Sequence, residues 1–151
     1  MRYFGSLAIV AIALSACTAR GDREFAELQQ RGQAAMGVDQ YTSTHQFETL
    51  VSGGRIELQR DANDTRDVAT IRSHLREVMG MFERGDFSTP AFVHAQAVPG
   101  TAVMAARREH IRYTYADLPQ GGEIRLTTAD PEALRAIHEF LAFQRRDHHA
   151  H

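Results

Sequence analysis

The chain has 151 residues, with 17 arginines and no lysine, 19 acidic residues, eight histidines, one cysteine, 43% hydrophobic residues and a formal charge of −2. The slight acidic excess excludes general affinity for nucleic acid or anionic lipid, and the missing lysine excludes Schiff-base and Walker-type chemistry. A single cysteine excludes an intrachain disulfide and a paired-cysteine zinc site.

At the N-terminus, Arg2 is followed by an uncharged apolar run, Phe4 to Leu14, of eleven residues. That length suits a signal peptide and is too short for a bilayer core of about 30 Å. The run closes on Leu14-Ser15-Ala16-Cys17, which resembles the lipobox of bacterial lipoproteins. The resemblance implies that residues 1–16 are a signal peptide and that Cys17 becomes the N-terminus. It also implies acyl chains such as palmitate on the cysteine sulfur and amino group, with 17–22 as a lipidated tether. Thr18 stands where an aspartate often retains such proteins in the inner membrane, so the implied location is the periplasmic face of the outer membrane. Two or three acyl chains, at about 0.8 kcal/mol per buried methylene, anchor far more firmly than one. Loss of Arg2 leaves 16 arginines against 19 acids, a charge of −3. Acylation consumes the only thiol, so metal or catalytic chemistry falls to histidine, methionine and carboxylates.

Residues 23–151 are the length of one domain. A helix over about 23–36 carries Phe25, Leu28 and Met36, and Gly37 can end it. Thr44 to Leu50 alternate as a strand, Ser52-Gly53-Gly54 signal a turn, and Ile56 and Leu58 alternate again. Asp64 is a suitable N-cap, with Asp67 in the first turn, for a helix whose apolar face is Val68, Ile71, Leu75, Val78 and Phe82. Gly85 to Gly100 reads as a long loop with a short strand at Phe92 to Ala95. A second hairpin follows, His110 to Ala116 and then Ile124 and Leu126, turning at Pro119 to Gly122. Asp130 and Pro131 open a last helix with Leu134, Ile137 and Leu141, flanked by Phe140.

Sliding the chain by 68 residues lays 32–58 on 100–126 with eight identities in 27, among them Gly53/Gly121, Gly54/Gly122 and Ile56/Ile124. After a two-residue deletion the pairing resumes, Val68 with Leu134 and Ile71 with Ile137. The expected architecture is therefore α+β. Duplicated hairpin-helix (ββα) units, about 32–83 and 100–146, form a four-stranded antiparallel sheet covered by helices, with an additional N-terminal helix.

The repeat also sorts the histidines. His45 aligns with Tyr113, and His74 with Phe140, so each histidine stands where its counterpart is a large ring. The two are expected to converge in an otherwise apolar layer. Imidazole and thioether donors suit copper, and imidazole also suits zinc. The candidate ligands are His45, His74 and His94, with Met104 as a soft donor; Met79, Met81 and His110 are weaker ones. His148, His149 and His151 form a histidine-rich tail next to Asp147, read as a frayed end able to capture a cation opportunistically. The opposing reading is that the core histidines are satisfied by backbone carbonyls and only pack.

Catalytic motifs are lacking: there is no Gly-x-Ser-x-Gly, His-Glu-x-x-His, glycine-rich phosphate loop or heme-attachment motif. The stretch from the first Gly-Gly hairpin through Gly85-Asp86-Phe87, Phe92-Val93-His94, Ile111-Arg112-Tyr113 and Ala136-Ile137-His138-Glu139-Phe140-Leu141 resembles a family of small exported bacterial proteins. Members are often labelled aspartate carbamoyltransferase in genomes. This chain lacks that enzyme's Ser-Thr-Arg-Thr loop and is too short for its two α/β domains, so the resemblance implies an envelope-resident binding domain and supplies no site residues. Two functions follow: a lipoprotein holding copper, with zinc as the alternative, or an envelope structural or protein-interaction module whose sheet face or 85–100 loop docks another protein.

Overall fold

A computed structural model describes residues 8–61 and 65–149, with side chains from Arg20 onward. Helix α1, Ala8–Met36, continues through residues 17–22 and ends where Gly37, at φ +79°, donates its N–H to Gln33 O at 2.8 Å. On its inner face the residues Leu28, Gln29, Gly32 and Met36 are buried. Strands β1, Ser43–Leu50, and β2, Gly53–Arg60, form the first hairpin, and helix α2, Thr65–Glu83, follows it. All five apolar residues of the α2 stripe are buried, as the helical spacing demands. Asp64 lies outside the described residues.

The segment after α2 departs from expectation. Instead of a loop with a short strand it contains two short helices, α3, Ser88–His94, and α4, Thr101–Ala106. Asp86 accepts the Ser88 N–H at 2.9 Å, and Pro90 lies in the first turn, where its missing N–H costs nothing. Ala95 then turns left-handed, φ 53°, and closes α3. Strands β3, Ile111–Leu118, and β4, Gly121–Thr128, make the second hairpin, and helix α5, Pro131–Asp147, follows it. Asp130 caps α5 as anticipated, accepting the N–H groups of Glu132 and Ala133 at 2.8 and 2.9 Å. The buried face of α5 is broader than its leucine stripe: Phe140 is 1% exposed, and Ala133, Ala136 and Phe143 are buried with Ile137 and Leu141.

The sheet is antiparallel throughout, in the order β1-β2-β4-β3. Its central pair joins Ile56 to Ile124, residues also 68 apart in sequence. Element bounds recur at the same interval: β1 and β3 begin at 43 and 111, β2 and β4 at 53 and 121. Helices α2 and α5 pack on one sheet face, against Phe47, Ile56, Leu58, Tyr113, Ile124 and Leu126. The other face is polar, and there Arg55 bridges Glu48 at 2.9 Å, Glu57 at 3.6 Å and Glu123 at 3.7 Å.

The turns are tighter than the glycines suggested. Leu50 pairs with Gly53 and Leu118 with Gly121, so the loops are Val51-Ser52 and Pro119-Gln120, and the glycines belong to the strands. They serve close approach instead. A Cβ on Gly53 would stand 1.9 Å from Leu126 O, and one on Gly121 would stand 1.9 Å from Leu58 O. No described helix is long and apolar enough to cross a membrane.

Candidate functional site

Between the helices and the sheet lies a cavity of about 90 Å³, walled by α1, β1, β2, α2, α3, β4 and α5. Its apolar wall includes Phe47, Ile56, Leu58, Phe82 and Phe140, and its polar wall holds four imidazoles, His45, His74, His94 and His148. Each comes from a different element: His45 from the core face of β1, His74 from the edge of the α2 stripe, His94 from the end of α3 and His148 from just beyond α5. Gln40, Gln144, Thr89 and Met36 complete the polarisable lining. About 90 Å³ accommodates roughly three waters at ~30 Å³ each, or a ligand of a few atoms.

His45 and His74 both line this cavity, and His74 lies close enough for its charge to act on His45. Burial drives the His45 pKa from 6.5 down to about 4, and the charge His74 would carry adds to it. Burial likewise lowers His74, against a weaker opposing pull from Glu77. Both rings are therefore neutral at pH 7, with nitrogen lone pairs free to accept a proton or a metal.

His94 is different. Its side chain is 1% exposed, and both nitrogens are engaged: Nδ1 meets Asp147 Oδ2 at 2.5 Å, and Nε2 lies 2.8 Å from Gln144 Oε1. A neutral ring donating from Nδ1 accepts at Nε2, which requires only that the Gln144 amide turn its NH2 inward. An imidazolium donates to both oxygens. In either state no lone pair remains, so the expected metal-ligand role of His94 does not hold in this arrangement. The ring also forms part of a second groove, of about 430 Å³, shared with Glu24, Phe25, Arg31, Asp147 and His149.

The described part of the tail, 147–149, is packed against the domain rather than frayed. His148 stacks on His45 with ring centroids 4.9 Å apart, lies 5.5 Å from Phe47, and meets His94 edge-on at 5.1 Å. Burial pushes its pKa down to about 2, helped by the charges that His45, His94 and His149 would carry. His149 stacks on Phe25 at 4.4 Å with the rings 5° from parallel. The sequence signal for His148 was Phe140, Gln144 and His148 at intervals of four, one face of the helix extended by a turn. His151 lies outside the described residues.

The methionines sort otherwise than expected. Met104 is fully buried within the hydrophobic core and does not line the cavity, so it is a core residue and not a soft ligand of this site. Met79 packs against the same core, and Met81 Sδ accepts the Thr89 hydroxyl at 3.5 Å. Met36 supplies the thioether in the cavity wall, where the Gln40 amide approaches its sulfur to 3.9 Å. His110 is exposed and remote from the cavity lining.

Among the described residues no group of three or more His, Cys, Asp or Glu side chains is placed to hold one ion. Ring geometry explains part of this. A metal bound to an imidazole nitrogen lies in the ring plane, and the His45 and His148 planes are stacked, only 23° from parallel. They therefore cannot share an ion between them. The chain matches no family model, no curated protein and no solved structure.

Proposed function

We propose that this protein is an envelope lipoprotein, anchored through acylated Cys17 at the periplasmic face of the outer membrane, whose domain binds copper(I) in the histidine cavity. His45 and His74 are the nitrogen ligands and Met36 is the thioether donor. The observation that carries the reading is that two neutral imidazoles and a thioether from three elements line one largely apolar cavity. Soft and borderline donors in a low-dielectric site suit a monovalent, low-coordinate ion. Tetrahedral zinc asks for four ligands, which the described residues do not assemble. Because the cavity lowers the pKa of both imidazoles, protons compete weakly for their lone pairs.

The test is copper(I) titration of untagged, metal-free protein against a chromophoric chelator. One ion per chain is expected, with binding lost in His45→Phe and His74→Phe and retained in Met104→Leu. No binding by the wild-type chain removes the reading. The anchor is tested separately by metabolic labelling with palmitate, which Cys17→Ser must abolish.

A second reading is an envelope interaction module in which the histidines only pack. The saturated nitrogens of His94 and the stacking of His148 on His45 favour it. It predicts no copper(I) binding and unchanged partner capture in His45→Phe.

A further inference from the structure

The geometry points to a latch: Asp147, His148 and His149 cover the His45 side of the histidine cavity, and lifting this segment opens the way to His45. The inference names the control of the copper(I) site and rests on that reading for the identity of the ion, though not for the closure itself.

Three consecutive residues at the end of α5 each grip a different element. The Asp147 carboxylate accepts from His94 Nδ1 on α3 at 2.5 Å. The His148 ring covers His45 and Phe47 on β1, at 4.9 and 5.5 Å. The His149 ring lies on Phe25 of α1 at 4.4 Å. His149 reaches Phe25 because its backbone turns left-handed, φ 53°, a conformation uncommon for a residue with a Cβ. That local strain is held only by the contacts the segment makes.

These contacts fill the gap between β1 and α3 with one imidazole. Releasing the segment breaks two terminal backbone bonds, His148 N–H to Gln144 O at 2.9 Å and His149 N–H to Arg146 O at 3.3 Å. It disturbs no strand pairing, and the buried stripe of α5 remains in place. An element held by few side chains at the end of a helix opens locally at far smaller cost than the domain unfolds. His94 forms part of both the cavity and the outer groove, so its pairing with Asp147 ties the latch to the wall separating them.

The test measures cavity access directly, by diethyl pyrocarbonate modification of each histidine at pH 7, read by peptide mass spectrometry on the full chain. Exposed His110 is the internal reference and reacts quickly in every variant. In the wild-type chain His45 reacts more slowly than His110, and His74, which the segment does not touch, is a second reference. His149→Ala, which deletes only an exposed ring, should raise the His45 rate about three- to tenfold, the range set by losing one stacked pair, and leave His74 unchanged. A chain ending at Asp147 should raise the His45 rate further, with copper(I) association accelerated in parallel. An equal His45 rate in the wild type and His149→Ala overturns the latch, even if the shortened chain fails to fold. Faster modification together with no copper(I) binding in any variant leaves the latch standing and removes the copper reading instead.

Discussion

Lowering the pH from 7.5 to 5 should strip several kcal/mol of stability from the metal-free protein, because the cavity keeps its imidazoles neutral while the unfolded chain protonates them. The folded pKa of His45 is about 4 and that of His148 about 2, against 6.5 for a free imidazole. Between these values the unfolded state binds more protons. The contribution is therefore complete above pH 6.5 and is lost as pH falls toward the folded values. The loss is about 1.4 kcal/mol per pH unit per histidine, so 1.5 units cost about 2 kcal/mol each and about 4 for the pair. His74 is lowered as well and acts in the same direction. Against a typical total of about 5–15 kcal/mol, that loss is large. The assay is urea unfolding followed by circular dichroism at pH 7.5, 6 and 5. His45→Phe should roughly halve the slope, since it removes one of the two main groups. An unchanged midpoint between pH 7.5 and 5, or a His45→Phe slope as steep as the wild type, would refute the neutral-imidazole argument. Asp117 and Asp130, whose pKa values are lowered chiefly by hydrogen bonds, contribute stability that is lost only below about pH 4, outside this window.

Gly121→Ala places a Cβ 1.9 Å from Leu58 O, backbone that cannot give way, so it should cost more than about 3 kcal/mol and yield little soluble protein. Gly53→Ala should behave alike, and a normal thermal midpoint in either would contradict the close approach of β2 and β4. Met104→Ala should lose about 2–5 kcal/mol in chemical denaturation while leaving copper(I) affinity unchanged, because its side chain is core and not cavity wall. Asp130→Ala removes the acceptor of two N–H groups at the start of α5 and should lower stability by about 1 kcal/mol, read as a small shift in urea midpoint.

The parts of this fold that were legible in sequence are those written in periodicity. The α2 stripe and the alternating residues of both hairpins each repeat a local geometry, and local geometry is what spacing encodes. Residues 85–100 read as a loop with a short strand at 92–95 because Phe92 and Val93 carry β propensity, while the helical signals of α3, the Asp86 carboxylate that accepts Ser88 N–H and first-turn Pro90, precede that apolar pair. The glycine pairs announced turns by composition; only the third dimension shows that they allow β2 and β4 to approach. That His45 and His74 line one cavity follows a signal the repeat carried, an aromatic counterpart for each. The His94–Asp147 pair spans 53 residues and lies on no shared period, so no local pattern announced it. His148 looked like tail because three histidines beside an aspartate suggest solvent, although its fourfold spacing from Phe140 and Gln144 marked the helix face it extends.

Helix α1 has one more consequence, since it runs from Ala8 to Met36 without a break and contains both Cys17 and the cavity-lining Gly32 and Met36. Under the proposed function, the acyl anchor on Cys17 and the cavity share one rod. At 1.5 Å per residue, 15 to 19 residues set the cavity about 22–28 Å along the helix from Cys17. Such a stand-off is a ruler and not a leash: adding four residues after Cys17 lifts the cavity by about 6 Å and turns it by about 40°, whereas adding two swings its mouth by about 200°.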